Sequence, residues 1–126
     1  MTALTIAPIE MAELRARAAY EEGKLLVAFA GSADSRAMAS IDSLLKELHG
    51  EMLRSAVPEV TLDFREFDFM NSSCFKAFVV WISNLRELES AKQYRISFRS
   101  DPNKHWQRRS LDALRCFGVD LIRIET

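Results

Sequence analysis

The residues able to do chemistry are few, and their spacing excludes most of it. Two histidines (His49, His105) and two cysteines (Cys74, Cys116) show none of the C-x-x-C, H-x-x-x-H or H-E-x-x-H spacings that bring ligands together around a metal. The glycines, at positions 23, 31, 50 and 118, form neither G-x-G-x-x-G nor G-x-x-x-x-G-K-[ST], so no phosphate cradle is present. Ser72, Ser73 and Cys74 sit where a nucleophile could, but G-x-S-x-G is absent and neither histidine has an obvious route to serve as their base. No catalytic residue, metal or cofactor is expected. Lys104, Arg108, Arg109 and Arg115 lie on one helical segment without exposed aromatics between them, the pattern of a solvated face rather than a nucleic-acid surface.

One constellation remains. In Phe69-Met70-Asn71-Ser72-Ser73 an apolar stretch ends at a polar cap and opens a helix. The first turn of a helix carries unpaired N–H groups and the positive end of the macrodipole. With Asn71 as N-cap, Ser72 is the first helical residue, its hydroxyl lies near those amides, and Lys76 follows four residues on along the same face. Such an end suits an anion, and a phosphate on Ser72 would bring about -1.5 to -2 charge to it. Asn71, Ser72 and Ser73 also read simply as a cap, and the residues alone leave both readings open. Asp63, Glu66 and Asp68 precede the junction and read as a solvated turn.

The elements that must position this junction follow from hydrophobic period. Residues 12–20 alternate and form a half-buried strand; 21–24 turn; 25–30 are a continuous apolar run suited to a strand paired with the first. A short extra strand fits residues 3–6. Met38, Ile41, Leu44, Leu45, Leu48 and Met52 make one stripe of an amphipathic helix capped by Asp34 or Ser35. Beyond Pro58, residues 60–64 alternate as a strand. Phe75, Phe78, Val79, Ile82 and Leu85 form the apolar arc of the helix after Asn71, and residues 94–100 alternate again. Asp101 and Pro102 read as the cap and first residue of a third helix with Trp106, Ser110, Ala113, Leu114 and Phe117 inward, closed by Gly118. Residues 119–125 form the last strand. The order β-β-α-β-α-β-α-β implies one α/β domain over residues 1–126, with a mixed, mostly parallel sheet of about five strands and three or more helices.

Composition agrees. The 126 residues are 48% hydrophobic and 28% charged with a net charge of -1, which gives no general attraction to nucleic acid or anionic lipid. Residues 1–90 hold 9 basic and 14 acidic side chains and residues 91–126 hold 8 and 4, a mild asymmetry only. The longest apolar runs, 25–30 and 77–82, fall far short of the ~20 residues of a membrane span. With no secretory signal pattern and two isolated cysteines, a cytoplasmic protein is expected.

Val60-Thr61-Leu62-Asp63-Phe64 followed by Phe67-Asp68-Phe69-Met70-Asn71-Ser72-Ser73 resembles the STAS domain, the family of bacterial anti-sigma-factor antagonists. That pattern is a strand ending in L-D-L/F, an aliphatic turn, and D-S/T-S/T-G opening a helix. Gly31-Ser32-Ala33-Asp34 is similar to the family's G-x-L-D loop, and the element order agrees over nearly the whole chain. Asn71 stands where the pattern has aspartate and Cys74 where it has glycine. The segment from Asn71 to Ala77 is closer to a divergent branch of phosphorylatable STAS-like regulators, with asparagine before the phosphoacceptor and a lysine after it. The resemblance implies a non-enzymatic regulator whose Ser72, less favourably Ser73, is phosphorylated by a serine/threonine kinase of the anti-sigma-factor type. A phosphatase reverses the modification, and only the unmodified form binds the partner. A STAS-like scaffold or small-ligand sensor is the alternative. Asn71 and Asp34 would line the docking surface. Ligand sites of α/β folds lie at strand ends, so Glu66, Asp68 and Lys76 are expected on the same surface. Homo-oligomer formation is left open.

Overall fold

A computed structural model describes residues 6–126. Six strands form one sheet in sequence order: β1 (Ile9–Glu10), β2 (Leu14–Glu21), β3 (Lys24–Ala33), β4 (Glu59–Met70), β5 (Arg95–Arg99) and β6 (Ile122–Glu125). β1–β2 and β2–β3 pair antiparallel, and the other neighbours pair parallel. The crossovers are α1 (Met38–Ser55), α2 (Ser72–Arg86) and α3 (His105–Arg115). The mixed, mostly parallel sheet with three helices is as expected, with β1 as a sixth strand. The strand expected at residues 3–6 lies, apart from Ile6, outside the described residues.

Consecutive parallel strands advancing in one direction through right-handed crossovers place every helix on the same face of the sheet. The alternation of burial follows. Leu14, Ala16, Leu25, Val27, Phe29, Val60, Leu62, Phe64, Ile96 and Phe98 point under the helices and are buried, while Arg15, Arg17 and Ala28 face outward and are exposed. Phe29, Phe64, Phe67 and Phe78 form the centre of the core, with Phe29 stacked on Phe67 and Phe64 edge-on to Phe29, Phe67 and Phe78. Such pairs add about 0.5–1.5 kcal/mol beyond their burial.

Three local expectations are corrected. First, residues 63–68 are not a turn: β4 continues to Met70. Its pairing with β3 runs Ala28↔Asp63, Ala30↔Glu66, Gly31↔Phe67, Ser32↔Phe69, so β4 twice inserts an extra residue. These bulges break the alternation, which is why the sequence pattern stops at Phe64. Gly31, at φ 103°, is required beside them, because a Cβ there would stand 2.1 Å from the Glu13 carbonyl oxygen. Second, Asp101 and Pro102 do not start α3. The Asp101 carboxylate accepts from Asn103 N at 2.9 Å in a turn, and the helix begins at His105. Third, α3 buries Gln107, Leu111 and Leu114, whereas Trp106 and Ser110 are half-buried and Ala113 and Phe117 exposed. Gln107 takes an inward place because its amide donates to the Phe64 and Phe67 carbonyls left by the bulge, while its oxygen accepts from Asp101 N at 2.9 Å. In α1 the inward stripe holds except for Met38, which is exposed.

α1, α2 and Tyr94, just before β5, share a partly buried polar chain. The Trp81 indole N–H donates to the Tyr94 hydroxyl at 2.8 Å, and that hydroxyl is hydrogen-bonded to His49 Nδ1 at 2.7 Å. Burial holds the His49 pKa below its ordinary 6.5.

Two expected outcomes test this packing. Phe78→Ala removes a fully buried ring from the aromatic centre and should cost about 3–5 kcal/mol in urea unfolding; a loss below about 1 kcal/mol would place the core elsewhere. A depressed histidine pKa means that the unfolded chain binds more protons just below 6.5, so stability should fall as pH drops through that value towards the folded-state pKa and be full above it. His49→Gln should flatten this segment of the stability–pH curve, and an unchanged slope would remove His49 from it.

Candidate functional site

β3 and β4 stay paired to their last residues, Ala33↔Met70, so the chain leaves both strands at the same height. The Asn71 N–H then donates to Ala33 O at 2.9 Å, tying the start of α2 to the end of β3. On the β3 side Asp34 caps a single 3-10 turn, Ser35–Ala37, that runs into α1. On the β4 side Asn71 caps α2: its Oδ1 accepts from Cys74 N and from the Ser73 hydroxyl, each at 3.0 Å. The Cys74 thiol, buried between the two loops, donates to Asp34 O at 3.4 Å. Burial pushes the Cys74 pKa up, with the Asp34 charge adding to it, so this sulfur is held as a thiol. It lacks the thiolate character of a nucleophile.

Ser72 is the first residue of α2 and is exposed, beyond a cap built by its neighbours. Lys76, one turn along, is exposed as well. The acidic residues meant to surround Ser72 are mostly paired. Asp34 is gripped by Arg36, with Nη2 at 2.7 Å and Nε at 3.1 Å from Oδ2, and these hydrogen bonds hold its carboxyl below the usual carboxylate range. Arg36 also reaches Glu13 at 3.3 Å. Asp63 is gripped by Arg65 at 2.7 Å, which lowers its pKa too, and Asp68 pairs with Lys104 of the α3 approach at 2.8 Å. The field at Ser72 is therefore set by the helix end and Lys76 more than by carboxylates.

Asp34, Asn71, Ser72 and Ser73 are thus brought together, with Lys76 next along the helix. Glu66 is not. It lies four strand residues before Met70, roughly 13 Å at strand rise, and lines a groove on the helix-free face with Arg15, Arg17 and Asp63. Three neighbours escape a reading of the sequence. Arg36 neutralises Asp34 across a tight turn that residue spacing does not reveal. Met38 and Phe69 are 42% and 49% exposed at the same end of the sheet. Met38 follows a helical stripe and Phe69 a bulge, so pattern alone sends both inward. Among the described residues no three His, Cys, Asp or Glu side chains gather to hold a metal, and no helix is long and apolar enough to cross a membrane.

No protein-family model and no curated protein matches the sequence. Among solved structures, the chain is similar to an anti-sigma factor antagonist from Mycobacterium paratuberculosis, at 12% identity and TM-score 0.59, covering 87% of this chain and 85% of that one. It is also similar to the anti-sigma factor antagonist SpoIIAA in its unphosphorylated form, at 17% identity and TM-score 0.55, covering 88% and 87%. The chain has the STAS fold. At these identities what is shared is the architecture, and the STAS arrangement sets the Asn71–Ser72 junction at the carboxyl ends of the parallel strands, where α/β sheets present their sites.

The cap and the exposed hydroxyl are separable. Asn71→Ala deletes the acceptor of both Cys74 N–H and the Ser73 hydroxyl and should cost about 0.5–2 kcal/mol in chemical denaturation. Ser72→Ala should stay within about 0.5 kcal/mol of the parent. Equal losses would make Ser72 the capping residue.

Proposed function

We propose that this chain is a non-enzymatic bacterial regulator, a single STAS-like domain acting in the cytoplasm, whose binding to a protein partner is gated by phosphorylation of Ser72. The observation that carries this reading is the exposed Ser72 hydroxyl at the first position of α2, outside the Asn71 cap, in a fold shared with anti-sigma factor antagonists. The partner is a serine/threonine kinase of the anti-sigma-factor type, opposed by a phosphatase. Ser73 is the poorer acceptor because its hydroxyl is already given to Asn71. The docking surface comprises Asp34, Asn71, Ser72 and Lys76, with Asp68 near its edge and exposed Met38 and Phe69 as apolar contacts.

The switch follows from where a phosphate's charge falls. Within this chain it would meet the first-turn amides, the positive end of the α2 dipole and Lys76, so the fold survives. A partner surface shaped for an uncharged hydroxyl supplies no counter-charge of its own to the dianion it would desolvate, which typically costs about 2–5 kcal/mol, roughly 30- to 5,000-fold in affinity. Intact mass of the protein from its native cell, with and without phosphatase treatment, should show a phosphate that maps to Ser72. In titrations against the kinase, Ser72→Ala should bind like unmodified parent and resist modification, while Ser72→Asp should lose most of its affinity with its thermal stability kept. Equal affinities for all three, with no phosphate found, would leave Ser72 as part of a cap and favour the scaffold or small-ligand sensor.

A further inference from the structure

We propose that the helix-free face of the sheet docks onto the same face of a second copy of this chain, about a two-fold axis running along β3. With all three helices on the other side, this face presents rows of outward side chains fixed by the strand register. One row reads Arg15↔Ala30↔Glu66 across β2, β3 and β4; the next reads Arg17↔Ala28↔Asp63. Over these two rows the face has a central spine of alanines, with arginines along one flank and carboxylates along the other.

Such a stripe is complementary to itself in one orientation. A two-fold axis parallel to β3, between the stacked sheets, carries β2 of one copy over β4 of the other and keeps each residue at its height. Arg15 then faces Glu66 of the second copy and Arg17 faces its Asp63, each pair occurring twice. A two-fold axis in the sheet plane across the strands sets arginine flank on arginine flank and is repulsive. Ala28 and Ala30 let the backbones approach to the ~10 Å of stacked sheets. The groove of about 500 Å³ lined by Arg15, Arg17, Ala28, Ala30, Asp63 and Glu66 has room for the interleaving side chains.

The charges are available for this. Neither Arg15 nor Glu66 forms an ion pair among the described residues. Arg17 holds Glu10 at 3.2 Å with both ends exposed, a local pair that a partner's charge can join. Asp63 is largely buried and already held by Arg65, so the two Arg15–Glu66 contacts carry most of the attraction. Because attraction between charges on an open face is screened by salt, the dimer should weaken as ionic strength rises.

Sedimentation equilibrium of the full chain tests the proposal. The parent should pass from monomer to dimer with concentration, less so at high salt. Arg15→Glu and Glu66→Arg each put like charges at two symmetry-related contacts and should each raise the dimer dissociation constant at least about 10-fold. Mixed in equal amounts, the two variants should recover a 1:1 heterodimer, because Glu at position 15 then faces Arg at position 66 and the unaltered Arg15 faces the unaltered Glu66. That recovery also shows both variants to be folded. A parent that stays monomeric up to about millimolar concentration overturns the proposal, as do single variants that dimerise like the parent or a mixture that does not recover.

Discussion

The bulged course of β4 is the constraint on which the rest depends. β4 is the central strand, paired parallel on both sides, and it must end level with β3 so that Asn71 can reach Ala33 O. It arrives there with two more residues than β3 uses over the same span. The extra residues turn backbone carbonyls out of the ladder into the core, where an unpaired acceptor costs about 1–3 kcal/mol. The Gln107 amide, fully buried, meets two of them and fastens itself to Asp101 N. A polar side chain from the third crossover thereby sets where the second crossover begins. Gly31 supplies the matching freedom on β3.

That constraint also explains what the sequence reveals and what it hides. Wherever one face of an element packs on the core without interruption, periodicity is enough: the α2 arc with Phe78 and Ile82, the Ile41–Leu48 stripe of α1, and the alternation of β5 are all plain. The Asn71 cap is equally plain, because Asn before a hydrophobic helix has one common use. Periodicity fails where a backbone irregularity has been satisfied from afar. Arg65 and Glu66 both lie exposed across the bulge, so β4 looks finished at Phe64, and Gln107 looks like a surface residue because its partners are carbonyls some 40 positions away. At the site, residue types were legible but their pairing was not. Asp34, Asp63 and Asp68 form an acidic cluster on paper and three neutral pairs in space.

The same topology divides the surface. Crossovers on one side leave the other side of the sheet to long charged side chains, and only there are strand registers read directly as rows of charge. Ser97 shows how effective that cover is: it lies on the helix-free side yet is fully buried, with its hydroxyl donating to Glu125, itself near Arg99 and Arg123. Towards β5 and β6, Arg99 and Arg123 pair with Glu125 and Glu59 within the chain. Towards β2 and β4, Arg15 and Glu66 stand on either side of β3 with alanine between them, and no ion pair joins them among the described residues.

At the strand ends the neutral pairs change the sign of the problem. With Asp34 bound to Arg36 and Asp68 to Lys104, the charges left near Ser72 are Lys76 and the amide end of α2, both positive in effect. Asn71 already supplies the hydrogen bonds that the first turn needs for stability, so Ser72 carries no structural duty that a new group would disturb. A helix start in which the capping residue and the exposed hydroxyl are adjacent but distinct lets charge at Ser72 change while every hydrogen bond holding β3, β4 and α2 together stays in place. On the function proposed for this chain, that separation makes the modified and unmodified forms differ in surface charge and alike in fold, so the distinction between them is left for the partner to read.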